Sequence, residues 1–197
     1  TVADTDFITK VSTSADDVIG DMNHGYYSNH WNAAIGNNDG QNDCYGIVIN
    51  SGVIFAGTTK AENCTAIGGG GNGVGNVTIN GGIVTAVATT TGSAIGGGIG
   101  FTSNGGVGQV TITGGNVYAY NLANRWNIPS SAIGGGGTKQ STVNKGTTIN
   151  ISGGNIYAES DLGTAIGGGS SYEQSGGEAI INISGGKVVG NRHPKSD

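Results

Sequence analysis

The five residues Ala66-Ile67-Gly68-Gly69-Gly70 return at 94–98, 132–136 and 165–169, with Ala34-Ile35-Gly36 as a shortened copy. Between the copies runs a second phrase, clearest in Val77-Thr78-Ile79-Asn80-Gly81-Gly82-Ile83-Val84-Thr85-Ala86. It recurs at 110–119, 149–158 and 181–190, and more loosely at 47–56. The isoleucines of the first phrase stand 32, 28, 38 and 33 residues apart. Self-similarity at such a period points to a solenoid or another repeat array, because one repeat alone cannot bury its apolar face.

Within one repeat, Val77-Thr78-Ile79-Asn80 alternates apolar and small polar residues, the period of a half-buried strand. Gly81-Gly82 then lets the chain corner without a Cβ penalty. Val84-Thr85-Ala86 is a second short strand with Val84 and Ala86 facing inward, and Ala94-Ile95 supplies a third inward pair after a variable loop. Three short strands per turn describe one coil of a single-stranded parallel β-helix. The long coils with irregular loops favour the right-handed, pectate-lyase-like type over the tighter hexapeptide type. The expected fold is therefore all-β, a right-handed parallel β-helix of about five coils at 34–190. Residues 1–33 form an N-terminal cap and partial coil, and 191–197 a polar tail. A hairpin-based β-sandwich is the rival, but it would need turn signals every 8–12 residues and no fixed long period.

Stacking the repeats predicts columns. Val77, Val110, Ile149 and Ile181 form one internal row, Ile79, Ile112, Ile151 and Ile183 another, and the Ala-Ile-Gly isoleucines a third. Outside, Thr78, Thr111, Asn150 and Asn182 align beside Asn80, Thr113, Ser152 and Ser184. Phe55, Thr85, Tyr118, Tyr157 and Val189 point out from the second strand. Ladders of this kind arise in any solenoid, so they carry structure before they carry function.

The aromatic residues single out a candidate site. Tyr26, Tyr27 and Trp31 lie in the densest aromatic stretch, and Trp126 lies in the long segment 120–131. The two tryptophans fall in equivalent loops three coils apart, roughly 14 Å at ~4.8 Å per coil. With Tyr118, Tyr120 and Tyr157 they could wall a groove floored by small polar residues. Such a groove suits a glycan, whose C–H faces stack on rings while Asn and Thr supply hydrogen bonds. The plain alternative is that the tryptophans pin long loops to the coils.

Other clusters are less specific. Asn37, Asp39, Gln41 and Asp43 place oxygen side chains at alternate positions and resemble the start of a calcium loop, but the distal Glu is missing. An Asn/Asp/Gly turn explains them equally well. Cys44 and Cys64 could close a disulfide in an oxidising compartment or stand as two buried thiols. Glu62, Glu159, Asp161, Glu173 and Glu178 are scattered through loops, leaving the strands almost free of acid–base pairs. Catalytic residues therefore cannot be named. Asn63, Asn76, Asn150 and Asn182 head glycosylation patterns, the last two as by-products of strand alternation.

Composition sets the outer limits. Gly is 41 of 197 residues while Pro is only 2, which is neither collagen nor a Pro-rich linker. A net charge of −5 with eight scattered basic residues argues against nucleic acid as partner. No apolar run is long enough for a membrane-spanning helix, so no membrane insertion is expected. Residues 1–4 lack the pattern of a signal peptide, which an exported protein would already have lost.

The Ala-Ile-Gly-Gly-Gly copies joined by Val/Ile-x-Ile-x-Gly-Gly-x-Val-x-Ala resemble Gly-rich repeat regions of large surface and secreted bacterial proteins. Those regions are similar to right-handed β-helix domains of adhesins and carbohydrate-active proteins. The resemblance spans 34–190 and implies a secreted or cell-surface glycan-binding or adhesion module, with no catalytic motif to transfer. The other readings are a stalk or filament subunit that self-associates end to end, ice binding through the Thr/Asn columns, and a polysaccharide lyase or glycosidase.

Overall fold

The computed structural model describes residues 33–36, 44–58, 65–89, 91–100, 106–122, 128–138, 146–170 and 177–192. Among these residues there is no helix, and fifteen strands build three parallel sheets of five. The first sheet holds five two-residue strands: β1 (Ile35–Gly36), β4 (Ile67–Gly68), β7 (Ile95–Gly96), β10 (Ile133–Gly134) and β13 (Ile166–Gly167). The second holds β2 (Cys44–Ile49), β5 (Gly75–Ile79), β8 (Gly108–Ile112), β11 (Thr147–Ile151) and β14 (Ala179–Ile183). The third holds β3 (Val53–Thr58), β6 (Ile83–Ala88), β9 (Asn116–Asn121), β12 (Asn155–Ser160) and β15 (Lys187–Arg192). The chain visits the sheets in rotation, so each strand pairs with its counterpart one turn away. About four turns run from β1 to β13, and β14 and β15 begin the next. The molecule is a parallel β-solenoid.

Register follows the sequence repeat. Val77 pairs with Val110, Val110 with Ile149 and Ile149 with Ile181, while Ile79, Ile112, Ile151 and Ile183 run beside them. Ile35, Ile67, Ile95, Ile133 and Ile166 make the third internal row. Val84, Ala86, Val117, Ala119, Ile156 and Ala158 complete one continuous apolar core. Only β2 departs from a clean ladder, with an irregularity between Cys44 and Ile47.

The glycines of the first phrase have a steric cause. Gly68, Gly96 and Gly134 have φ between 127° and 140°. A Cβ on Gly68 would overlap the carbonyl oxygen of Gly96, one on Gly96 that of Gly134, and one on Gly134 that of Gly167. The coils thus approach backbone to backbone where only glycine fits. At the corner between second and third sheets, Gly82, Gly115, Gly154 and Gly186 take φ between 86° and 91°.

A hydroxyl closes three of the first-phrase turns. Ser93 Oγ donates to the Gly97 carbonyl at 2.8 Å, Ser131 Oγ to that of Gly135 at 2.6 Å, and Thr164 Oγ1 to that of Gly168 at 3.2 Å. The longer unit is Ser/Thr-Ala-Ile-Gly-Gly-Gly in four copies, and in the copy at 65–70 the Thr65 hydroxyl is buried without a hydrogen-bond partner.

One boundary differs from the sequence reading. Tyr120 and Asn121 belong to β9, not to the loop that follows it. Asn121 is buried, and its Nδ2 donates to the carbonyls of Gly92 at 2.9 Å and Ser131 at 3.3 Å. Those bonds offset the cost of an inward amide and let the strand run two residues further.

Candidate functional site: the outer face of the third sheet

Alternation on β9 turns Val117, Ala119 and Asn121 inward and leaves Asn116, Tyr118 and Tyr120 outward. On β12, Ile156, Ala158 and Ser160 turn inward and Asn155, Tyr157 and Glu159 outward. Tyr157 pairs with Tyr118, and Glu159 with Tyr120. Three of the aromatic residues singled out from the sequence therefore meet on two adjacent strands, ~4.8 Å apart.

The cluster is ordered by direct contacts. The Tyr120 and Tyr157 rings lie 5.8 Å apart between centroids, tilted by 47°, a favourable aromatic geometry. The Tyr157 hydroxyl donates to Glu159 Oε2 at 2.5 Å and accepts from Asn191 Nδ2 of β15 at 3.0 Å. Donation to the Glu159 carboxylate holds the phenol above its ordinary pKa, because ionisation would forfeit that bond; the Asn191 amide pulls more weakly the other way. Asn155 Nδ2 donates to Asn116 Oδ1 at 2.9 Å, so an amide pair borders the rings.

The same register extends the face along the solenoid axis. Tyr118 pairs with Thr85 and Thr85 with Phe55, while Val189 follows Tyr157. Ile83, Tyr118 and Val189 are exposed. The result is a strip, apolar toward β3 and β6, aromatic at β9 and β12, and polar toward Glu159, Lys187 and Asn191. Rings with hydroxyls at their rims, bordered by amides, can present both a stacking surface and hydrogen-bond partners to one ligand.

The second sheet carries a different outer face. Thr78, Thr111, Asn150 and Asn182 stand in register. Asn80 Nδ2 donates to Asn50 Oδ1 and Thr113 Oγ1 to Asn80 Oδ1, both at 2.8 Å, and Asn182 Nδ2 donates to Asn150 Oδ1 at 2.9 Å. Exposed Val48 and Ile180 interrupt that array. Its polar groups are largely engaged with one another, which gives these columns a structural role.

Tyr26, Tyr27, Trp31 and Trp126 lie outside the described residues, as do Asn37, Asp39, Gln41, Asp43 and Cys64. Cys44 opens β2, but its side chain is not among those described. The tryptophan groove, the calcium loop and the disulfide therefore fall outside the described residues. Sequence reasoning did not select Glu159, Asn191, Asn116 or Asn155 for the site. Part of the signal was available: Asn116 stands two residues from the outward Tyr118, and Asn155 and Glu159 each two from Tyr157, whereas Asn191 pairs with Glu159 and not with a tyrosine. Among the described residues no three His, Cys, Asp or Glu gather as a metal site. Comparison of the chain with protein-family models, with curated proteins and with solved structures finds no match.

Proposed function

We propose that the protein is a glycan-binding or adhesion module, secreted or at the cell surface, and that the outer face of its third sheet is the binding surface. One observation carries this reading: Tyr118, Tyr120 and Tyr157 converge on a partly exposed strip between amide side chains. The rings suit the C–H faces of sugars, and Asn116, Asn155, Asn191 and the tyrosine hydroxyls suit their hydroxyl groups. The resemblance of the repeats to Gly-rich bacterial surface proteins supports the same reading. Because the strip follows the stacking direction, an extended polysaccharide fits it better than a compact small molecule.

Affinity electrophoresis and a glycan array test this directly. Tyr118→Ala and Tyr157→Ala are each expected to weaken polysaccharide binding about 3- to 10-fold, with the folded state retained because both rings face outward. Trp126→Ala, in the same assay, asks whether the aromatic loop of the sequence reading joins the surface. Binding to no polysaccharide, or binding indifferent to both tyrosine substitutions, removes the proposal.

A further inference from the structure

The corner between the second and third sheets is built five times from nearly the same letters. It reads Asn50-Ser51-Gly52, Asn80-Gly81-Gly82, Thr113-Gly114-Gly115, Ser152-Gly153-Gly154 and Ser184-Gly185-Gly186. The last residue of each takes a φ between 86° and 99°, so the five backbones turn alike. Only the second corner sets a side-chain amide directly before a glycine.

At that corner Asn80 is exposed and Gly81 half-buried. Gly81 has no Cβ to hold its nitrogen away from the preceding side chain. Among the described residues its N–H makes no hydrogen bond. Asn80 Oδ1 accepts from Thr113 Oγ1 at 2.8 Å, which draws electron density from Cγ and steadies charge developing on that oxygen. A polarised amide carbon thus stands next to an unengaged backbone nitrogen.

Two other asparagines lack this combination. Asn72 also precedes a glycine, but in a tight turn where its own φ is 60°. Gly73 is buried there, and its N–H donates to the Gly70 carbonyl at 2.9 Å. Asn50 occupies the equivalent corner one coil earlier and is exposed, yet Ser51 follows it and brings a Cβ to the approach.

We propose that Asn80 is a site of spontaneous deamidation, with Gly81 as the nucleophile and water as the co-reactant. The Gly81 nitrogen bonds to Asn80 Cγ and gives up its proton through solvent. The Cγ–Nδ2 bond breaks, and the amide nitrogen leaves as ammonia with that proton. Water then opens the cyclic imide at either carbonyl, leaving aspartate or isoaspartate at position 80. No oxidation or reduction is involved.

Both products damage the outer ladder. A carboxylate still accepts from Thr113 but cannot donate to Asn50 Oδ1, as the amide does at 2.8 Å. Isoaspartate also adds a main-chain carbon between two bonds that flank the corner. Those are Asn80 N–H to the Ile49 carbonyl and Ile83 N–H to the Gly52 carbonyl, each at 2.8 Å. The lengthened corner can no longer satisfy both without distortion.

Peptide mapping by mass spectrometry tests this on the whole chain, kept warm in mildly alkaline buffer and sampled over days. Conversion is expected at Asn80 ahead of Asn72 and Asn50. In the urea-unfolded chain the lead over Asn72 should vanish, because Gly73 is released from Gly70, while the lead over Asn50 stays. Asn80→Ser, the residue that two other corners carry, should keep the circular dichroism of the parent and lose the early product. The aged fraction, separated by charge, should unfold at a lower urea concentration than fresh protein. An intact Asn80 beside a converted Asn50 or Asn72 overturns the proposal, and so does equal conversion of Asn72 and Asn80 in the folded chain. An aged fraction as stable as the fresh one overturns its consequence for the ladder.

Discussion

The coil built on β11 and β12 and the coil built on β14 and β15 repeat almost the same residues and end up in different environments. Ile151 is 1% exposed and Ile183 54%, Ile149 0% and Ile181 42%. Their backbones pair residue for residue. What separates them, among the described residues, is a strand on the far side. In a solenoid, burial belongs to the contact between successive coils rather than to the coil itself, so identical letters carry different weight according to their place in the stack.

Substitutions at matched positions can break that comparison or sharpen it. One large difference is expected at the first-phrase glycines. Gly96→Ala forces a methyl group into the backbone of Gly134 at a positive φ, and should cost about 3 kcal/mol or more. Gly167→Ala meets conformational strain but no backbone, for about 1–2 kcal/mol. Urea unfolding of dilute protein measures both, and equal losses would mean that close approach is not what reserves these positions. Next come the isoleucines. Ile112→Ala, fully buried, should cost about 2–5 kcal/mol, whereas Ile183→Ala should cost under about 1 kcal/mol under the same conditions. A larger loss at Ile183 than at Ile112 would contradict the difference in burial.

The smallest effect concerns the bridge between the two coils made by Tyr157 and Asn191. The Tyr157 phenol is held above its ordinary pKa in the folded chain, chiefly by donating to Glu159. The native state therefore keeps its proton when the unfolded chain has begun to lose it. That contribution is whole below pH 10 and disappears as pH climbs through the higher folded value. Absorbance titration of the tyrosines should show one late-ionising group that vanishes in Tyr157→Phe and moves down in Glu159→Gln. No change in either variant would refute the assignment.

Much of this architecture could be read before any coordinates. Alternation named Ile79, Ile112, Ile151 and Ile183 as one inward row, and the common period put them in register, because pairing by whole repeats is the only way to keep every inward side chain inside. Tyr118 and Tyr157 followed from the same rule on the outer side. Tyr120 was harder: its strand continues into Asn121, a polar residue whose inward position depends on carbonyls at Gly92 and Ser131 that no local pattern announces. The hydroxyls of Ser93, Ser131 and Thr164 were visible as letters but not as bonds, since their partners are defined by the turns that the glycines make. The contact of Tyr157 with Asn191 joins residues 34 apart. It requires the register first and the rotamers second, and sequence supplies only the former.

Successive copies differ in length by as many as ten residues, from 28 to 38, yet β4, β7 and β10 stay paired without a slip. All of that variation is confined to excursions between the sheets. A gene encoding such a chain can consequently lengthen or shorten its excursions by drift, and gain or lose one entire unit by recombination, while the remaining ladders are conserved. Fractional units have no such freedom, because half a unit would bring strands of one sheet against those of another from that point on.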